Sequence, residues 1–143
     1  MSARPYAERT AVPVQQSKNE IERLLQMNGA GAIAMFTDDT RSVAAVAFSM
    51  SDRSYRFVMP MPRTCVKGSR EEKIRTQLAR QRWRALLLVL KAKMESARSG
   101  VTTLETELLP YAVLPNGRTV ADEVAPRLLA AYQGQDVPLL PGV

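Results

Sequence analysis

The chain has 143 residues, one domain's worth, and 45% apolar against 24% charged residues is a globular balance that excludes disorder, a collagen-like fibre and a membrane span. Histidine is absent, which excludes Ser-His-Asp and Cys-His catalysis and every imidazole metal site, and the single cysteine, Cys65, excludes an internal disulfide and a Cys₄ zinc centre. The net charge of +6 is unevenly spread: residues 1–62 carry seven basic and six acidic side chains, residues 63–98 eleven and three, and residues 99–143 two and five.

The opening sequence carries arginines and glutamate rather than the apolar stretch of a signal peptide, and no purely apolar run exceeds the six residues Ala85 to Leu90. A cytoplasmic protein with an unpaired thiol is the expectation. Residues 1–16, with Pro5 and Pro13, read as an extended arm. Ser17-Lys-Asn-Glu20 matches a capping box, Ile21, Leu24 and Leu25 follow at helical spacing, and Asn28-Gly29 is a left-handed stop, so a short helix is predicted over 18–28. Three strands follow, at 32–37, 42–49 and 54–59, with connections short enough for an antiparallel meander that ends at Met59-Pro-Met-Pro62. The third alternates, with Tyr55, Phe57 and Met59 on one face. The first two are apolar on both faces, read as Ile33, Met35, Val43 and Ala45 on one and Ala34, Phe36, Val46 and Phe48 on the other. Such a sheet calls for helices on both sides or for a second copy of the chain.

From Arg70 to Arg98 neither proline nor glycine interrupts the sequence, and Gly100 supplies a stop. On a helical projection Ile74, Leu78, Ala85, Leu88, Val89 and Ala92 form one apolar arc, and Trp83, Leu86, Leu87, Leu90, Met94 and Ala97 an opposed one. The prediction is a long helix packed on both sides, by the sheet and by C-terminal helices or a second subunit. Two basic seams run between the arcs: Lys73, Arg80, Arg84, Lys91 and Arg98 in one, Arg75, Arg82 and Lys93 in the other. Like charges in one line repel unless something lies alongside. Solvent, the acidic side chains Glu105, Glu107, Asp122 and Glu123, and a nucleic-acid backbone are the three candidates.

Thr102-Thr-Leu-Glu105 opens a short helix that Pro110 should close, Tyr111–Leu114 reads as a short strand, and Thr119 caps a last helix to about Tyr132 that Pro126 should kink or restart. Residues 134–143 form an irregular apolar tail. The fold expected is a single α+β domain over 1–143, ordered α-β-β-β-α-α-α.

Chemistry has few carriers. Asp38-Asp39 lies in a turn, Glu71-Glu72 suits the start of a helix, no glycine-rich phosphate loop is present, and Cys65 has no base beside it. The sequence therefore reads as no enzyme, with neither cofactor nor metal. Binding fits better: Arg53 and Arg56 on the third strand, Arg63 and Lys67 in the loop, and the seam Lys73, Arg80, Arg84, Lys91 and Arg98 are predicted to form one basic surface for DNA or RNA. Tyr55, Phe57 and Trp83 are the aromatics available for stacking, and each reads better as core. The alternative is a protein-binding module acting through its apolar faces, as an inhibitor of a host factor or a self-assembling homo-oligomer.

Several blocks carry a resemblance: Thr10-Ala-Val-Pro-Val14 before Ser17-Lys-x-Glu20-Ile21-Glu22, then Arg56-Phe57-x-x-Pro60-x-Pro62, Arg80-Gln-Arg-Trp-Arg-Ala-Leu-Leu-Leu88, Lys91-Ala-Lys93 and Val113-Leu-Pro-x-Gly117-x-Thr-Val120. Over residues 6–141 the chain resembles a family of small uncharacterised proteins of bacteriophages, prophages and other mobile elements. It is shorter than that pattern between Pro62 and Glu72. The resemblance implies a phage-type context in a bacterial host's cytoplasm, with host takeover, recombination or defence evasion as the range of roles. It assigns no site residue.

Overall fold

The computed structural model describes residues 10–63, 67–135 and 137. Its elements are α1 (Val14–Met27), β1 (Ile33–Asp38), β2 (Val43–Met50), β3 (Arg53–Pro60), α2 (Arg70–Arg98), α3 (Leu104–Leu108) running into a 3₁₀ turn (Leu109–Tyr111), and α4 (Val120–Tyr132). The α+β order is the one the sequence predicts, and the strands form an antiparallel sheet in the order β1-β2-β3.

α1 begins a turn earlier than its capping box. Val14, Ser17, Ile21 and Leu25 lie on one stripe facing the core, so burial of that stripe overrides the cap. Ser17 is buried inside the helix with its hydroxyl unpaired, and Pro13 takes the cap position without a side-chain bond. The expected arm accordingly stops at Pro13, and its first nine residues lie outside the described ones. Gly29, at φ +95°, ends the helix as predicted.

The register of the sheet reverses the expected faces of β2. Ile33 pairs with Phe48, Met35 with Val46 and Thr37 with Ala44, so the inner face combines Ile33 and Met35 with Ala44, Val46 and Phe48. Val43 and Ala45 fall on the outer face with Ala34 and Phe36. The connection Asp39–Ser42 sets this register, with the Asp38 carboxylate accepting from the Arg41 N–H. β2 and β3 join through Ser51 and Asp52, both at positive φ, as a two-residue hairpin whose twist matches the strands requires. Tyr55, Phe57 and Met59 take the inner face as predicted, and Phe57 stacks on Tyr111 at 3.8 Å between ring centroids.

The core lies between this inner face and one helical layer. α2 is unbroken over 29 residues, about 43 Å at 1.5 Å per residue. Ser69 caps it by accepting from Glu72 N–H, and the Glu72 carboxylate accepts from Gly68 N–H in return. Trp83, Leu86, Leu87, Leu90 and Met94 are its buried residues, packed with Ile21 and Leu25 of α1 and Leu108 of α3. Among the described residues the opposite arc lacks the full cover expected of it, with Leu78, Ala85 and Leu88 half-buried. Ile74 is 54% and Val89 43% exposed, and α4 packs on the 3₁₀ turn instead. The outer sheet face is likewise open, with Phe36 48% and Val58 55% exposed.

Three C-terminal expectations also shift. Thr103, not Thr102, caps α3, and the chain continues through Pro110 as the 3₁₀ turn. The strand expected over 111–114 reduces to bridges Tyr55–Ala112 and Val113–Thr119. α4, capped by Thr119 as predicted, continues through Pro126 as one helix rather than restarting there. Proline there frees the carbonyl four residues back, that of Asp122, and the Arg118 guanidinium donates to it at 2.8 Å. The expected tail falls mostly outside the described residues.

α3 is locked to α2 by Glu107. Its carboxylate accepts from the Thr102 hydroxyl at 2.8 Å and pairs with Lys93 at 3.6 Å, while Lys93 also lies 5.4 Å from the Tyr111 ring centre. The Thr102 hydrogen bond leads in holding the Glu107 carboxyl below the usual carboxylate range, with Ser96 and Lys93 acting the same way against the opposing effect of burial. A folded value below the unfolded one contributes stability that is present above the ordinary carboxylate range and lost as pH falls through the folded value. Thr102→Val is therefore expected to melt earlier than the parent at neutral pH, with the gap narrowing as the pH falls below the ordinary carboxylate range and Glu107 protonates in the folded parent. Thermal melts of the two proteins across that range measure it.

Candidate nucleic-acid interface

The helical projection places the two seams correctly along α2, and their surroundings differ. Arg75, Arg82 and Lys93 face the end of β3 and α3: Arg75 donates to the Arg63 carbonyl at 2.7 Å, Arg82 donates to the Pro60 carbonyl, and Lys93 meets Glu107. This seam holds elements together.

The other seam runs beside α1. Arg84 pairs with Glu20 of α1, the acid that the sequence assigns to a cap, and both side chains are largely covered. One turn away, Lys18 of α1 sits 4.8 Å from the Trp83 ring centre, a cation–π contact. Arg98 reaches only Glu95 of its own helix, at 4.0 Å. Lys73, Arg80 and Lys91 form no ion pair with any described residue. The acids proposed as internal partners are engaged elsewhere: Glu105 with Arg53, Glu107 with Lys93, and Glu123 with Arg118, while Asp122 meets Arg118 through its backbone carbonyl.

The two strand arginines do not join the seam. Arg53 and Arg56 are three residues apart on β3 and so project to opposite faces of the sheet. Arg53 is held by Glu105 at 2.9 Å, a hydrogen bond that raises its already high pKa. Arg56 donates to the Gly117 carbonyl at 2.7 Å on the outer side. The single surface expected from Arg53, Arg56, Lys73, Arg80, Arg84, Lys91 and Arg98 is therefore divided, because strand alternation and the body of α2 separate its members.

A smaller cluster does form, at the N-terminal half of α2. Every fully buried residue of that helix lies at or after Trp83, and its first thirteen residues are exposed or half-buried. Lys67, Lys73 and Arg80 line an open hollow of about 600 Å³ on one side of this half, together with Glu72, Thr76 and Gln77. Arg63, Lys67 and Arg75 line a second, of about 450 Å³, on the other side, with Asp39 at its rim. The hollows meet at Lys67, Glu72 and Thr76. Arg75, which the projection puts in the structural seam, thus contributes its charge here as well, since the carbonyl it bonds to is neutral. Glu72 is committed to the helix cap. The aromatics named for stacking are unavailable: Tyr55 and Phe57 are each 4% and Trp83 1% exposed.

No family model, curated protein or solved structure matches the chain.

Because Glu20 neutralises Arg84 in a partly covered pair, Glu20→Gln is expected to lower stability by about 0.5–1 kcal/mol, read by urea denaturation. The double change with Arg84→Gln should cost less than the two single losses combined, since the lone cation is gone.

Proposed function

We propose that the protein is a non-enzymatic accessory protein, of phage type, that binds nucleic acid by its phosphate backbone through the basic end of α2. The observation that carries this reading is the convergence of Arg63, Lys67, Lys73, Arg75 and Arg80 on two abutting hollows, whose acidic lining residues among those described are Asp39 and the capping Glu72. Phosphate contact needs only cations at suitable spacing on a rigid support, which a capped helix end supplies. With Tyr55, Phe57 and Trp83 in the core and no aromatic among the described residues lining the two hollows, binding is sequence-independent in this reading.

Replacement of about four phosphate counterions gives a log–log salt slope near −3.6 on duplex DNA, by about −0.9 per contact. Lys73→Glu with Arg80→Glu is expected to weaken binding more than tenfold and to flatten that slope by about two, while Arg53→Gln and Arg98→Gln leave it unchanged. Anisotropy titrations at several salt concentrations, with circular dichroism to check folding, measure this. Failure to bind duplex or single-stranded DNA or RNA at low salt would falsify the reading.

A second reading, a protein-binding module that also self-assembles, is supported by the uncovered apolar faces. Phe36 and Val58 flank Ala45 across the outer sheet face, where Ala45 pairs with both. A second copy covering this face would give a dimer by light scattering that Phe36→Asp reduces to a monomer. A monomer at all accessible concentrations removes self-assembly from the proposal.

A further inference from the structure

The open side of α2 carries a pattern of its own. Ile74, Leu78, Gln81, Ala85, Leu88 and Ala92 follow one another at spacings of 4, 3, 4, 3 and 4. That is the a/d repeat of a helix that packs along another helix. Ile74 is 54% exposed, Val89 beside the stripe 43%, and Ala92 is exposed as well, while Leu78, Gln81, Ala85 and Leu88 between them are half-buried. From Ile74 to Ala92 the stripe is about 27 Å long, five helical turns.

The flanking positions decide what can lie on it. On one flank stand Arg70, Gln77, Arg84, Lys91 and Arg98, and on the other Arg75, Arg82, Val89 and Ser96. Neither contains an acid. Glu20 neutralises Arg84 and Glu95 reaches Arg98, whereas Arg75 and Arg82 bond only to carbonyls and keep their charge. A second copy of α2, parallel or antiparallel, would set basic flank against basic flank, so charge excludes the symmetric pair. α4 is unsuited too: its 13 residues span about 20 Å, shorter than the stripe, and its Glu123 is engaged by Arg118. Ala85 and Ala92 leave room for close approach, toward the short end of the 8–10 Å interaxial range.

We infer that this stripe docks an amphipathic helix of a partner protein, apolar along its seam and acidic on both flanks. The inference specifies the partner in the protein-binding reading and is independent of nucleic-acid binding at the end of the helix.

The test uses the full chain and three labelled peptides of four heptads each. One has leucine at a and d with glutamate at e and g, the second lysine at e and g, and the third serine at a and d with the glutamates kept. The first is expected to bind saturably and at least tenfold tighter than either control. Ile74→Ser with Val89→Ser should weaken it at least tenfold while leaving DNA binding intact. Val89→Asp alone takes the place of that variant should it melt early. Four results would overturn the inference. These are no binding of the first peptide, equal binding of the lysine peptide, equal binding of the serine peptide (which would assign the effect to charge alone), and self-association of the chain that the paired substitution abolishes.

Discussion

The burial of Trp83 is the contact on which the molecule depends. It is 1% exposed, covered by α1 on one side and by the inner sheet face on the other, and Leu86, Leu87, Leu90 and Met94 continue the same line along α2. Side chains of this size contribute roughly 1.5–3 kcal/mol each when fully buried. A three-stranded sheet offers only one such face per helical layer, and this chain has one layer. The outer side of the sheet and the far side of α2 consequently remain apolar and uncovered, and they are the features a folding argument alone leaves without a purpose.

Electrostatics follows the same division. Four of the paired acids are placed where elements meet: Glu20 joins α1 to α2, Glu107 joins α3 to α2, Glu105 joins α3 to β3, and Glu123 closes the turn before α4. The acidic C-terminal third does fold back on basic residues, but on Arg53 and Lys93 rather than on Lys73, Arg80 or Lys91. Charge at the joints is spoken for. Lys73 and Arg80, on the half of α2 before Trp83, form no ion pair with any described residue.

Much of this was legible in the sequence, and the failures have specific causes. Strand positions, the length of α2 and its core arc are set by periodicity and by proline and glycine placement, which act locally. The faces of β2 were not legible because Val43-Ala-Ala-Val-Ala47 is apolar at both parities, so alternation cannot say which parity turns inward, and only pairing with β1 does. Ser17 and Glu20 satisfy a capping pattern, yet the stripe Val14, Ser17, Ile21 and Leu25 extends the helix past it and releases Glu20 for Arg84, a partner 64 residues away. Pro126 reads as a break because the freed Asp122 carbonyl has no visible partner in the sequence, and Arg118 supplies one. Arg53 and Arg56 were grouped with the seam by charge sign alone, although their odd spacing already separates them on a strand.

The proportions of α2 connect the two proposed surfaces. The eight-residue strands span about 26 Å at 3.3 Å per residue, whereas α2 spans about 43 Å. Its core contacts occupy residues 83–94, so the surplus length is at the N-terminal end, beyond what the sheet needs. The first half of this helix has no fully buried side chain before Trp83, and it is held by the Ser69–Glu72 cap, by Glu71 and Glu72 in the first turn, and by the bonds of Arg75 and Gln77 to the Arg63 and Thr10 carbonyls. Those devices hold Lys73, Arg75 and Arg80 on a rigid support clear of the core, and carry the start of the apolar stripe outward with them. The same surplus thus presents cations around its end and an oily seam along its side, which lets one element meet a polyanion and a partner helix without changing the packing beneath it.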